Sequence, residues 1–143
     1  MTHRILVIDD AATVRMYHRK LLSDAGWQVD EAVNGVEALE KVLNLPPQQG
    51  FDLFVVDINM PKMDGYTFVR ELRRLAQVPP APVLMVSTES QMQDANAARD
   101  AGANAYLVKP ARAAELTLTA ALLMGDAAQS LRAAGKTVAG AAA

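Results

Sequence analysis

Three aspartates, two hydroxyl residues and a lysine are the side chains best suited to chemistry in this sequence, and each set follows a short apolar run. They are Asp9 and Asp10, Asp57, Ser87 and Thr88, and Lys109. In a parallel sheet the carboxyl ends of all strands lie at one edge, where open α/β sheets bind their ligands. If the apolar runs are neighbouring strands, we expect these side chains to lie close together.

Carboxylates that converge in this way need a positive charge among them. Two carboxylates about 4 Å apart repel by roughly 4 kcal/mol at an effective dielectric constant of 20. Either one carboxyl group is protonated or a cation lies between them, and oxygen ligands of this kind suit Mg²⁺. A metal ion, an attacking carboxylate, a lysine and a hydroxyl are together the groups that phosphoryl transfer to an aspartate requires.

The residues that could do chemistry are placed by alternating strand and helix patterns. The predicted strands are residues 5–8, 28–33, 51–56, 83–86 and 105–108, and the predicted helices are residues 12–25, 36–45, 66–76, 91–101 and 113–124. Strict alternation with short links predicts a parallel sheet covered by helices on both faces. Five such units are typical of an α/β, doubly wound, flavodoxin-like fold with strand order 2-1-3-4-5.

The chain of 143 residues is long enough for one domain with a real core. We expect that domain to span residues 1–125. Residues 126–143 are rich in Ala and Gly, and this tail is expected either to extend the last helix or to be disordered.

Composition excludes several classes of function. The formal net charge of −2 gives no basic excess for a nucleic-acid partner. No segment approaches the ~20 apolar residues that membrane insertion needs. The absence of cysteine excludes a disulfide framework, a thiol nucleophile and a cysteine-based zinc site. A reducing cytoplasm fits this composition.

Four motifs, in this order, resemble the receiver domain of two-component response regulators, and among these the CheY-like chemotaxis type. They are Asp9-Asp10, the segment from Asp57 to Gly65, the segment from Leu84 to Ser87, and the segment from Tyr106 to Pro110. The resemblance spans about residues 4–124. It implies the CheY-like (βα)5 fold and a cytoplasmic signalling switch rather than an enzyme with an external substrate.

The resemblance also implies partners and roles for individual residues. Asp57 would accept the phosphoryl group from a histidine kinase, and Lys109 would pair with that group. Asp10 and Asp57 would bind Mg²⁺ directly, together with the backbone carbonyl of Asn59. Asp9 would act on the ion through water. A protein target would bind the phosphorylated form in chemotaxis or motility control, and a phosphatase is a further partner that the family admits.

The same resemblance implies a switch. The hydroxyl of Ser87 would move to the phosphoryl group and the ring of Tyr106 would follow, which remodels the face made by the fourth helix, fifth strand and fifth helix. Thr88 is the alternative hydroxyl, although the family usually has a small residue there. Asn59 and Glu89 occupy the two positions that set the lifetime of the phosphoryl group, and their polar character predicts a labile phosphoaspartate.

Each motif also has a simpler interpretation. Asp9 and Asp10 could cap the following helix, the loop after Asp57 could be an ordinary turn, and Tyr106 could be strand-edge packing. Lys109 could be a solvated lysine, whereas the family implies a cis bond from it to Pro110.

Two further features of the sequence concern helices. His18 has no partner at metal-ligand spacing, so we expect a surface or packing role for it. The last predicted helix, Ala113–Met124, carries a single charge at Glu115, which favours weak self-association or docking through this helix.

Three other functions compete with a motility switch. A phosphorelay intermediate outside motility would use the same site. A Mg²⁺-dependent phosphohydrolase with an aspartyl nucleophile usually needs a second Asp two residues after the first, where Asn59 stands. A flavodoxin-like electron carrier would need a hydroxyl- and glycine-rich loop after the first strand, and Asp9-Asp10-Ala11-Ala12 is opposite to this in charge.

Overall fold

The computed structural model describes residues 2–46 and 49–142. Strands and helices alternate through the first ten elements and a sixth helix follows: β1 (Arg4–Ile8), α1 (Ala12–Asp24), β2 (Gln28–Ala32), α2 (Gly35–Asn44), β3 (Leu53–Val56), α3 (Gly65–Arg74), β4 (Val83–Ser87), α4 (Met92–Ala101), β5 (Ala105–Val108), α5 (Ala113–Met124) and α6 (Ala127–Ala142). All five strands are parallel, in the order β2-β1-β3-β4-β5. The predicted doubly wound α/β fold is confirmed.

Two apolar layers hold the helices against the sheet. Alternate residues of β1 divide between them, because successive side chains of a strand point to opposite faces. Leu6 and Ile8 pack with α2, α3 and α4, whereas Ile5 and Val7 pack with α1 and α5. The central strands are buried on both faces, which is why their sequences are continuously apolar rather than alternating.

The register of the central strands sets which residues meet at the carboxyl edge. Ile8 of β1 is level with Val56 of β3, and the backbone N–H of Asp57 donates to the carbonyl of Ile8 over 2.9 Å. Asp9 and Asp57, which directly follow β1 and β3, therefore lie side by side.

Five elements begin one or two residues away from the predicted position: β1, α2, β3, α3 and α4. Strand β3 begins at Leu53 rather than Phe51. Helix α3 begins at Gly65, one residue early, because the Asp64 carboxylate accepts a hydrogen bond from the backbone N–H of Thr67 over 2.8 Å and caps the helix.

The C-terminal segment forms α6, a helix separate from α5. Gly125 ends α5 in the left-handed conformation, with φ of 73°, and the Asp126 carboxylate then accepts from the backbone N–H of Gln129 over 3.1 Å. The second oxygen of Asp126 accepts from the indole N–H of Trp27 over 3.0 Å. Helix α6 packs on α5, so the chain itself covers part of the weakly charged helix.

None of the helices in the described part of the chain combines the length and apolarity needed to cross a bilayer.

Candidate functional site

The carboxyl edge of the sheet brings the three predicted aspartates together. One carboxylate oxygen from each of Asp9, Asp10 and Asp57 lies within 4.8 Å of the other two. Asp9 and Asp57 are buried, with exposed fractions of 2 % and 9 %, whereas Asp10 is exposed. The cluster therefore has two acids set into the protein and one at its mouth.

Lys109, which follows β5, supplies positive charge to this cluster. Its ammonium lies 2.7 Å from Asp9 Oδ2 and 3.2 Å from Asp57 Oδ1. Burial by itself lowers the pKa of Lys109, but the hydrogen bond to Asp9 and the two nearby carboxylates outweigh burial, so the net shift is upward. Lys109 is a fixed cation rather than a solvated side chain, and its bond to Pro110 is cis, as expected.

One ammonium does not fully offset the acids. Burial raises the pKa of the Asp57 carboxyl group, and the negative charge of Asp9 raises it further against the opposing effect of Lys109. A second cation close to Asp57 would therefore stabilise its ionised carboxylate. The ligands available are hard oxygens from three acids, which fit Mg²⁺ and do not fit a soft metal.

The backbone of Asp57 is packed tightly against the start of α3. A Cβ atom at Gly65 would lie 2.2 Å from the Asp57 carbonyl oxygen, so only glycine fits. The N–H of Gly65 also donates to the carbonyl of Ile58 over 2.7 Å. The Asp-Gly pair that closes the predicted loop thus fixes α3 directly to the strand end that carries Asp57.

Glu89, which follows β4 in the loop toward α4, connects the residues that were predicted to switch and tune the site. Its backbone N–H donates to Ser87 Oγ over 3.3 Å, and its backbone carbonyl accepts from the Tyr106 hydroxyl over 2.7 Å. Its side chain accepts from the amide of Asn59 over 3.3 Å. Ser87 is buried and Thr88 is exposed, which favours Ser87 as the hydroxyl of the site.

Sequence reasoning missed two side chains that hold this region. Arg15 of α1 donates to the backbone carbonyl of Asp9 over 2.7 Å and pairs with Glu31 over 3.1 Å. The hydroxyl of Tyr66 donates to the carbonyl of Asp94 in α4 over 3.3 Å. Both contacts to the site region end on backbone carbonyls, which every residue carries, so the sequence contains no signal for them.

His18 has the packing role that was expected. It is buried, with an exposed fraction of 2 %, and burial lowers its pKa against the opposing effect of the Asp9 charge. The imidazole is therefore a neutral group behind the acidic cluster at physiological pH.

Many known proteins resemble this chain in sequence. Residues 5–121 match the family of the response regulator receiver domain. Chemotaxis protein CheY of Bacillus subtilis (strain 168) is 41 % identical over 115 residues, which are 79 % of this chain and 90 % of that protein. The gliding motility regulatory protein of Myxococcus xanthus is 38 % identical over 106 residues, or 74 % of this chain, but the chain spans only 13 % of that relative.

Solved structures share the fold. The chemotaxis protein CheY4 of Vibrio cholerae has a TM-score of 0.78 and 32 % identity, covering 86 % of this chain and 99 % of that one. The receiver domain of a sensor histidine kinase from Pseudomonas aeruginosa, solved with a magnesium ion in its active-site cleft, has a TM-score of 0.77 and 25 % identity over 87 % of this chain and 99 % of that one.

The family match covers every strand of the sheet except the first residue of β1, and the CheY relative is covered over nine-tenths of its length. The strand order and the acidic cluster agree with that match. The chain therefore belongs to the response regulator receiver domain family, as a CheY-like member.

Proposed function

We propose that this chain is a response regulator receiver that takes a phosphoryl group from a histidine kinase onto Asp57 and then binds a protein target. The observation that carries the proposal is the position of the Asp57 carboxylate, which lies beside the other two acids and 3.2 Å from the Lys109 ammonium. Residues 1–125 form the receiver domain and residues 126–143 an appended segment.

The ion would be held at the acidic cluster. Asp10 and Asp57, with the backbone carbonyl of Asn59, would bind Mg²⁺ directly, and Asp9 would act through water. When bound, Mg²⁺ neutralises charge on the carboxylates and on the incoming phosphoryl oxygens.

The remaining steps belong to the side chains of this chain. An oxygen of Asp57 attacks phosphorus and the bond to the donor breaks, so the donor leaves with its own electron pair. Lys109 already lies 3.2 Å from Asp57 and pairs with the new phosphoryl oxygens. The Ser87 hydroxyl donates to another of these oxygens.

Glu89 connects phosphorylation of Asp57 to the surface that binds the partner. When Ser87 turns toward the phosphoryl group, it changes its contact with the Glu89 N–H, and Tyr106 is attached to the carbonyl of the same residue. The face made by α4, β5 and α5 is remodelled as a result, and the target reads that face.

The biological setting we propose is chemotaxis or motility control in the cytoplasm, with a phosphatase as a further partner. Its support is that the relatives include a chemotaxis protein and a gliding motility regulatory protein. Asn59 and Glu89 tune the lifetime of the phosphoryl group, and their polar side chains favour a labile phosphoaspartate. Weak self-association through α5 is restricted to the surface that α6 leaves uncovered.

The experiment that tests the proposal is phosphate-affinity electrophoresis after incubation with acetyl phosphate and Mg²⁺. The wild type should shift, and the shift should vanish in Asp57→Asn and after chelation of the metal. Asp100→Asn, an exposed acid of α4, is the matched control and should shift like the wild type. An unshifted wild type would sink the proposal, and steady turnover of a phosphomonoester would replace it with a phosphohydrolase.

A further inference from the structure

Tyr66 lies in the first turn of α3 and contacts α4. It follows Gly65, whose Cα is pressed against the Asp57 carbonyl so closely that no side chain fits there. Its ring packs against the apolar layer under α2, α3 and α4. A shift of the Asp57 backbone should therefore move Gly65, and Tyr66 should move with it.

The hydroxyl of Tyr66 reaches across to α4. It donates to the carbonyl of Asp94 over 3.3 Å. Asp94 lies in the first turn of α4, where its carboxylate also accepts from the backbone N–H of Gln91 over 3.1 Å. The contact therefore falls on the capped end of the helix rather than on its middle.

Tyr106 holds the other end of the same segment. Its hydroxyl donates to the Glu89 carbonyl over 2.7 Å, five residues before the carbonyl that Tyr66 holds. Burial raises the pKa of both tyrosines, and the proximity of Tyr106 adds to the shift of Tyr66, as expected for two phenols that share one small region. The segment from Glu89 to Asp94 is thus tied down by two tyrosine hydroxyls from different elements.

We infer that Tyr66 is a positioning residue of the switch: its hydrogen bond to Asp94 holds the first turn of α4 where the Glu89 carbonyl meets the Tyr106 hydroxyl. Without the Tyr66 hydroxyl, the segment from Glu89 to Asp94 is held less firmly. The population in which Tyr106 is hydrogen-bonded to Glu89 then decreases. The link to activation rests on the proposed function, whereas the link between Tyr66 and Tyr106 does not.

The test variant is Tyr66→Phe, which keeps the ring and removes only the hydroxyl. The chain has three tyrosines, so tyrosine-selective ¹³C labelling gives a simple NMR spectrum. The Tyr106 signal is assigned by comparing variants in which each tyrosine is replaced in turn. The ratio of bound to unbound Tyr106 should fall by roughly two- to tenfold, the range expected for one hydrogen bond, and its ring signal should shift. Amide exchange at Ala95 and Ala98 should also accelerate.

Tyr17→Phe is the matched control, because Tyr17 lies exposed on α1 and carries the same chemical change. It should leave the Tyr106 signal unchanged. A Tyr66→Phe protein with an altered urea midpoint but an unmoved Tyr106 signal and unchanged exchange would overturn the inference, since a merely structural role predicts that result.

Activation is measured separately with beryllofluoride and Mg²⁺ by calorimetry. Tyr66→Phe should bind beryllofluoride about two- to tenfold more weakly than the wild type and Tyr17→Phe, and equal affinities would overturn the link to activation. A wild type that binds no beryllofluoride would instead contradict the proposed function, while the NMR and exchange measurements would still decide the role of Tyr66.

Discussion

The side-chain amide of Asn59 donates a hydrogen bond to the carboxylate of Glu89 over 3.3 Å, which joins the loop after β3 to the loop after β4. Both side chains are exposed at the mouth of the acidic cluster. Since each is oriented by the other, the two residues should act on the phosphoryl group as a pair rather than independently.

A double-mutant cycle tests this pairing. Asn59→Ala and Glu89→Ala should each change the rate of dephosphorylation, and the double variant should change it little more than the larger single variant. The expected coupling is about 0.5–1.5 kcal/mol, typical of residues in direct contact. The rate is measured as loss of phosphoprotein after removal of the donor, with Thr88→Ala on the same loop as control. Strictly additive effects would count against the pair.

The raised pKa of Asp57 predicts a pH-dependent stability in the absence of metal. Burial and the Asp9 charge make the folded protein hold the Asp57 proton more tightly than the unfolded chain does. Stability is therefore fully present below the unfolded pKa and is lost as pH rises through the folded pKa. Asp57→Asn stays neutral, so in EDTA at pH 7 it should unfold at a higher temperature than the wild type.

Two comparisons make that prediction specific. The difference between Asp57→Asn and the wild type should shrink as pH falls through the folded pKa of Asp57. Added Mg²⁺ should raise the unfolding temperature of the wild type more than that of the variant. A variant that melts below the wild type at pH 7 in EDTA would contradict the repulsion argument.

Lys109 should oppose metal binding while it supports phosphorylation. Its ammonium lies 2.7 Å from Asp9 and 3.2 Å from Asp57, so it repels an ion that approaches the same carboxylates. Lys109→Met should bind Mg²⁺ about tenfold more tightly by calorimetry, the equivalent of ~1.4 kcal/mol, and should accept phosphate from acetyl phosphate poorly. Lys20→Met, an exposed lysine of α1, is the control. Weaker Mg²⁺ binding by Lys109→Met would show that the lysine orders the acids instead.

Arg73 should be a large contributor to stability although it lies away from the acids. Its guanidinium donates to the carbonyls of Ala81 and Gly102 over 2.6–3.1 Å and to the Asn104 side chain over 3.0 Å, which ties α3 to the loops before β4 and β5. Arg73→Ala removes the donor to both carbonyls, while Asn104 Oδ1 keeps its bond from the Val83 N–H, and should cost about 2–4 kcal/mol in urea unfolding.

The neighbouring arginine supplies the comparison. Among the residues that the structure describes, Arg74 pairs only with the partly exposed Glu71 at i,i+3 spacing, so Arg74→Ala should cost about 0–0.5 kcal/mol. Equal losses for the two variants would mean that the Arg73 contacts are not formed in solution.

The strands and the gathering of the acids were predictable from local sequence, and the strand order from the fold that five strand–helix units typically form. Continuous apolar runs mark strands buried on both faces, and a charged residue directly after such a run must lie at the sheet edge. Asp57 and Lys109, which are 52 positions apart in the sequence, could be placed in one site in this way.

Contacts that end on a backbone carbonyl could not be predicted. Tyr66 and Tyr106 bind the carbonyls of Asp94 and Glu89, and nothing in the identity of an acceptor residue marks its carbonyl. The fate of the C-terminal segment was open for a related reason, since an Ala- and Gly-rich sequence permits helix or disorder. The Trp27–Asp126 bond, between residues 99 positions apart, is the contact that fixes where α6 begins.

That bond also determines what the intrinsic fluorescence of the protein reports. The chain has a single tryptophan, and its indole lies beside the cap of α6 rather than among the acids. Emission excited at the red edge of the absorption band, where tyrosine is silent, therefore follows the docking of the C-terminal helix. Tryptophan emission therefore reports on the end of the sheet opposite the acidic cluster. A phosphodonor that changes this emission must have altered the structure at that far end as well.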